Sequence, residues 1–288
     1  MGAIVPDRLK TAARARQLVP FVGSGISRKS APHKFPDWVG LLKLLLEYSL
    51  KNKYVTSREA RQIEDIINAG KLLMAAEVIK GNLPEDEYIH QLRHLFTYND
   101  ADNINLLTQK KIIQLNPRII ITTNYDRLIE DAYSSLFGKA PNVATYRDTS
   151  NLLATIQEHS LSTGPVIFKA HGDVGSIDSM ILSDRDYKRI MFDEAMYDNL
   201  MSSMFLNSIM LFVGFSLSDR EIIAHIEKLR HRFNYGTAPH FALLAIGSVN
   251  RLEAISYRKE FGIEIIEYNK SHNHRGLDDF LDELAGFI

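Results

Sequence analysis

"LVPFVGSGISRKS", residues 18–30, runs from an apolar stretch into Gly-Ser-Gly and then turns basic. The apolar part has the length and continuity of a strand buried on both faces. Gly23 and Gly25 permit a sharp turn at its end, and a helix follows. Such a turn exposes backbone N–H groups that can cradle a pyrophosphate, which makes Gly23, Ser24, Gly25 and Ser27 candidate contacts. A plain tight turn between strand and helix gives the same pattern. The dinucleotide fingerprint G-x-G-x-x-G needs a third glycine where Arg28 stands. It also needs an acid on a second strand about twenty residues on. Glu47 falls near that spacing but inside a helical pattern, so the ordinary dehydrogenase reading weakens, and Arg28 has no role assigned by sequence.

Five more segments share the continuous apolar character of the first: "RIIITT" (118–123), "VIFKA" (166–170), "IMLFVG" (209–214), "HFALLAI" (240–246) and "IEIIEY" (263–268). Helical periodicity fills the intervals. The alternation predicts an α/β protein, Rossmann-like and doubly wound, with a mostly parallel six-stranded sheet. Residues 38–115 hold no convincing strand but several helix signatures, among them "WVGLLKLLLEYSL" and "SREARQIEDIINAG". Pro84 followed by Glu85, Asp86 and Glu87 is a strong helix start. The expectation is a single domain over 1–288, with its core at about 15–37 and 116–288 and a helical insertion at about 38–115.

Ligands of doubly wound sheets bind beyond the carboxyl ends of the strands. After the second strand come Thr122-Thr123-Asn124-Tyr125-Asp126, polar groups that are costly at a buried strand end unless paired or in use. Thr123 and Asn124 are candidates for contacting a nucleotide's sugar or a water; Asp126 could act there or cap the helix that follows. After the third come Lys169-Ala170-His171-Gly172-Asp173. A histidine there, with a glycine allowing close approach, is a candidate general base. After the fourth, Ser218-x-x-Glu221 reads as a capping box that accounts for Ser218 and Asp219. Gly214 and Ser216 precede it and are freer to meet a ligand. Glu267 and Tyr268 close the sixth strand, where the far end of a nucleotide would lie.

The 288 residues are 45% hydrophobic with a formal charge of −1, enough for a large core and without the basic excess of a nucleic-acid binder. The absence of cysteine excludes disulfides, thiolate zinc sites and a cysteine nucleophile. No apolar stretch is long enough to span a bilayer, and the N-terminus lacks a signal-peptide core. The expectation is a cytoplasmic protein with no membrane or direct nucleic-acid partner.

Taken together, Gly23-Ser24-Gly25-Ile26-Ser27, Thr122-Thr123-Asn124-Tyr125-Asp126, His171-Gly172 and Gly214-Phe215-Ser216-Leu217 resemble, in order, the G-A-G-I-S, T-Q-N-x-D, H-G and G-[TS]-S-L signatures of the sirtuin superfamily. "FPDWVGLL" (35–42) and "LSDRDYKRI" (182–190) are similar to the SIR2-like branch found in bacterial anti-phage defence. Deacylating sirtuins carry a zinc module held by four cysteines and a G-I-P-D-F-R segment, and this chain has neither. The resemblance therefore implies an NAD+ glycohydrolase that releases nicotinamide and ADP-ribose. It implies catalytic roles for Asn124 and His171, with Asp126 orienting one of them or only capping its helix, and NAD contacts from Gly23, Ser24, Gly25, Ser27, Gly214 and Ser216, to which position at the strand ends adds Thr123 and Glu267. No metal is expected, because the leaving group already carries positive charge. Constant NAD cleavage would kill the cell, so the expected partners are further copies of the chain or a separate sensor subunit. The alternatives are a protein deacylase or ADP-ribosyltransferase, and a module that binds NAD or ADP-ribose without turnover.

Overall fold

The computed structural model describes residues 3–148, 164–217 and 219–288. Its strands are β1 (Leu18–Val22), β2 (Ile119–Thr122), β3 (Val143–Thr145), β4 (Val166–Lys169), β5 (Ile209–Val213), β6 (His240–Ala245) and β7 (Ile263–Tyr268). Six are the apolar runs of the sequence. The seventh, β3, has three residues, none of them buried, and lies at the sheet's edge. An edge strand that short carries no apolar run for a pattern to detect.

The order is β3-β4-β2-β1-β5-β6-β7, and every neighbouring pair is parallel. From β1 the chain moves outward on one side through β2 to β3 at the edge, places β4 between those two, and then crosses to the other side at β5. The topological switch point therefore falls between β1 and β5, where doubly wound folds open a crevice. Pro20, which has no N–H to donate, sits in β1 just before the residues (Phe21 and Val22) that pair with β2.

Alternation within the apolar strands divides the core. Val19, Phe21, Ile119, Ile121, Phe168 and Phe212 join one buried cluster, on one face of the sheet. Leu18, Val22, Ile120, Ile167, Leu211 and Val213 join a second cluster, on the opposite face. Helices cover both faces, which is why these strands read as continuously apolar.

Between β1 and β2 the chain is helical. Five helices of eight residues or more occupy Trp38–Lys51, Ser57–Asn68, Leu72–Asn82, Glu85–Phe96 and Leu107–Gln114. Their starts follow local chemistry: Asp37 accepts the Gly40 N–H, Thr56 and Glu59 form a capping box, and three acids follow Pro84. Leu42, Leu45, Ile63, Ala75, Ile79 and Leu92 make a third core, which extends onto Leu128, Val174, Ile177 and Met180 from the sheet side. The helices are thereby fixed beside the C-terminal edge of the sheet. No helix among the described residues is long and apolar enough to cross a membrane.

Candidate active site

The strand ends stand in register. Val22 of β1 pairs with Thr122 of β2 and Val213 of β5, and Thr122 pairs with Lys169 of β4. Ser24, Asn124, His171 and Phe215 each lie two residues beyond that common line. One row of backbone pairing thus delivers the signature residues of four separate segments to one edge.

The glycines of the first turn are required by a close approach of two backbones. The Gly25 N–H donates to the Gly214 carbonyl at 2.9 Å, and the Gly23 N–H to that of Val213 at 3.0 Å. A Cβ on Gly23 would lie 2.5 Å from the Gly214 oxygen, and one on Gly25 2.8 Å from it. Gly214 has φ +63, and a side chain there would strike Ile26 at 2.6 Å. The turns after β1 and β5 therefore interlock, and glycine is the residue that fits at all three positions. Helix Ser24–Ser30 starts directly at Gly23, with Ser24 exposed and Ser27 buried.

Ser27 reaches across to the end of β2. Its Oγ donates to Asp126 Oδ2 at 2.6 Å and accepts from Asn124 Nδ2 at 2.9 Å. Asn124 Nδ2 also donates to the Gly23 carbonyl at 3.1 Å. A carbonyl can only accept, so the amide orientation is fixed and Oδ1 faces away from it. That Oδ1 is buried without a partner among the described residues. Asp126 is held at both oxygens: Oδ2 accepts from Ser27, and Oδ1 accepts the Leu128 N–H at 3.1 Å in the first turn of helix Leu128–Phe137. Burial raises its pKa, against the pull of Ser27 and of the Lys169 charge.

Lys169 explains how this loop is held. Its ammonium is fully buried and donates to the main-chain oxygens of Asp126 (2.6 Å) and Tyr125 (3.2 Å), to Glu130 Oε1 (2.9 Å) and to Asp173. Burial works to lower its pKa, but the Glu130 and Asp173 carboxylates outweigh it and raise the pKa above the ordinary lysine value. A lysine inside the apolar run "VIFKA" was the available sequence signal, because a buried cation must be paired.

His171 is 3% exposed. Its Nε2 lies 3.4 Å from Glu221 Oε2 and 3.7 Å from Asp219 Oδ2. Its ring meets Tyr187 edge-on at 5.4 Å. Burial acts to lower the imidazole pKa, and the two carboxylates reverse the balance and raise it. His171, Asp219 and Glu221 are the one group of described residues whose metal-binding atoms gather within 4.8 Å. Tyrosine hydroxyls already engage both carboxylates, Tyr187 on Asp219 at 3.1 Å and Tyr197 on Glu221 at 3.3 Å. The cluster reads as a hydrogen-bonded network around the histidine.

These residues line one cavity of about 460 Å³, within the usual range for small-molecule sites. Ser24, Gly25, Ser27, Thr123, Asn124, Asp126, His171, Gly214 and Ser216 are all on its wall. Gly23 is not; it acts behind the wall, through its carbonyl on Asn124. Glu267 is exposed and outside the cavity, which corrects its placement. Side chains alternate along β7, and Tyr268 is the one that turns inward. The capping box expected at Ser218 lies outside the described residues; Asp219 is the N-cap of helix Arg220–Arg232, accepting from the N–H groups of Glu221 and Ile222.

The opposite wall belongs to the helical segment: Phe35, Pro36, Asp37, Trp38, Leu41, Leu72 and Phe96. This is the place of "FPDWVGLL". Trp38 stacks at 14° on Tyr187, from "LSDRDYKRI", and its indole Nε1 is a second buried polar atom without a partner among the described residues. Arg28 acquires a role too, since its Nη1 pairs with Asp37 at 2.6 Å and ties the glycine-turn helix to the opposite wall.

Comparison with known proteins agrees with this geometry. The family model described as SIR2-like domain matches residues 118–266, from β2 to β7. Defense-associated sirtuin 2 of Bacillus subtilis is 24% identical over 279 residues, covering 88% of this chain and 23% of its own. The NAD(+) hydrolase ThsA of Acinetobacter baumannii is 28% identical over 258 residues, covering 87% of this chain and 46% of its own. The ThsA of Bacillus cereus is 29% identical over 123 residues, covering 43% and 24% respectively. The chain thus spans 23–46% of the length of these relatives. With the match extending over more than half of the chain, and the four signature segments meeting at one edge of a parallel sheet, this protein belongs to the SIR2-like family.

Proposed function

We propose that the chain is an NAD+ glycohydrolase, cleaving the nicotinamide–ribose bond to give nicotinamide and ADP-ribose. The observation that carries this reading is Asn124: its Nδ2 is fixed by two bonds, while its Oδ1 is buried and without a partner among the described residues, beside a cavity shared with His171. A buried acceptor kept without a partner calls for a ligand or a water.

The reaction breaks the C1′–N bond, with the electron pair leaving on nicotinamide, whose ring nitrogen becomes neutral. The ribose gains oxocarbenium character and a water adds to C1′, losing a proton. Asn124 Oδ1 would accept from that water or a ribose hydroxyl, and His171 would take the proton. Asp126 would act through Ser27, keeping Asn124 oriented. The pyrophosphate would lie against Ser24, Gly25 and Ser27, with Thr123 beside the ribose and Gly214 and Ser216 on the adenosine side. The relatives named NAD(+) hydrolase support the substrate, and the one named defense-associated sirtuin supports a role in anti-phage defence. There, NAD depletion would be gated by assembly of further copies or by a separate activating subunit, in the cytoplasm.

The test is release of nicotinamide from NAD+ without any acceptor protein, by the purified chain alone and in the assemblies it forms. Turnover that is lost in Asn124→Ala and His171→Ala supports the reading. No turnover in any assembly, or turnover indifferent to both substitutions, rejects it.

A further inference from the structure

Glu221 and Asp219 have a sufficient local explanation as the first turn of a helix, yet they face His171. Asp219 Oδ1 is held by the N–H groups of Glu221 and Ile222 at 3.2 and 3.4 Å, which leaves Oδ2 for His171 and the Tyr187 hydroxyl. Glu221 is 4% exposed and takes the Tyr197 hydroxyl on Oε2, the oxygen that also faces the histidine. The carboxylates come from one helix start and the tyrosines from helices Asp184–Phe192 and Ala195–Asn207, so three elements fix this arrangement. A buried carboxylate that only capped a helix would not need to lie against an imidazole.

From this geometry, and resting on the reading of the site as an NAD-cleaving one, we propose that Glu221, seconded by Asp219, is a positioning residue that sets the tautomer of His171. A carboxylate only accepts, so the ring proton resides on Nε2, between Glu221 and Asp219. Nδ1 then carries the lone pair. It has no hydrogen-bond partner among the described residues, and it serves as the base for the attacking water. As the water oxygen bonds to C1′, its proton passes to Nδ1 and the electron pair of the C1′–N bond leaves on nicotinamide. The imidazolium formed lies between two carboxylates, which stabilise it until the proton passes to solvent. The charged and titratable groups facing the ring are Asp219, Glu221 and Tyr187, with Tyr197 behind Glu221.

The test uses Glu221→Gln, which keeps an acceptor but removes the charge, and Asp219→Asn, which keeps a competent N-cap if the first variant folds poorly. NMR titration of His171 in the whole protein, without NAD, reads tautomer and midpoint apart from activity. The proposal expects the Nε2–H tautomer in the parent protein and a midpoint lowered by about one unit in the variant. In whichever assembly cleaves NAD, it expects kcat to fall about tenfold or more with KM little changed, and the acid limb of the pH profile to move to lower pH. An Nδ1–H tautomer, an unmoved midpoint, or an effect confined to KM overturns it. Should the NMR results appear as expected while no assembly cleaves NAD, the assigned reaction fails and the histidine–carboxylate geometry stands.

Discussion

Lys169 Nζ lies 2.6 Å from the main-chain oxygen of Asp126, so a fully buried ammonium holds the loop that presents Asn124. Coulomb attraction alone does not justify burying a charge, because desolvation offsets it. What makes this one tolerable is the number of oxygens around it, and what it achieves is the fixed course of residues 124–126.

Lys169→Met should therefore destabilise the fold by about 3–5 kcal/mol, since it strands the Glu130 and Asp173 carboxylates and two carbonyls without their common donor. Urea unfolding checks this. Adding Glu130→Gln should recover part of the loss, because the second change removes a buried charge that the first left unpaired. A single variant within about 1 kcal/mol of the parent protein would show that the cluster tolerates water or neutralises itself.

Ser27 joins Asn124 to Asp126, accepting from one and donating to the other. In Ser27→Ala, Asn124 keeps only the Gly23 carbonyl, and Asp126 Oδ2 loses its buried donor. Stability should fall by about 1–3 kcal/mol. Nicotinamide release should fall about tenfold, short of the complete loss expected for Asn124→Ala. Activity equal to that of the parent protein would mean that the Gly23 carbonyl alone orients the amide.

The sheet and the candidate site differed in how legible they were. Strands β1, β2 and β4 to β6 are buried almost throughout, and β7 keeps an apolar run although one of its faces is partly open, so apolar continuity marks all six in the sequence, whereas β3 is exposed at the edge and leaves no such mark. Asn124 and His171 stood out because polar groups directly after buried strands need a reason. Glu221 did not, because a cap explained it locally, and only the packing of three helices brings it to His171. Arg28 was opaque for the same reason: its partner, Asp37, belongs to the opposite wall, and no spacing rule links them. Glu267 was misplaced by one residue of strand alternation, a choice of face that the end of a run does not specify.

Gly214→Ala tests the interlocked turns. At φ +63 any side chain is strained by about 1–3 kcal/mol, and here the added methyl also meets Ile26 at 2.6 Å. Gly247 supplies the control, with φ +82 and nothing within 4 Å of an added Cβ. Thermal unfolding should show a clearly larger loss for Gly214→Ala than for Gly247→Ala, with NAD binding weakened only in the former. Equal losses would assign the whole cost to backbone conformation and none to the approach of the two turns.

His240 gives the stability a pH dependence whose sign can be worked out. It is 3% exposed, its Nδ1 accepts the Met210 N–H at 3.2 Å, and burial, with Arg230 nearby, lowers its pKa to about 4. Above about pH 6.5 both folded and unfolded states carry it neutral, and the native arrangement is fully favourable. As pH falls toward 4 the unfolded chain takes up a proton that the folded chain refuses, so stability is lost across that window. For this one group the loss approaches about 3 kcal/mol. His225, also lowered to about 4 by burial, acts in the same direction, and His171, raised, acts in the opposite one. Comparing the parent protein with His240→Asn, which can still accept from Met210 but does not titrate, isolates the contribution. Urea midpoints between pH 7 and 4.5 should fall less steeply in the variant, and parallel curves for the two proteins would show that His240 is protonated equally in both states.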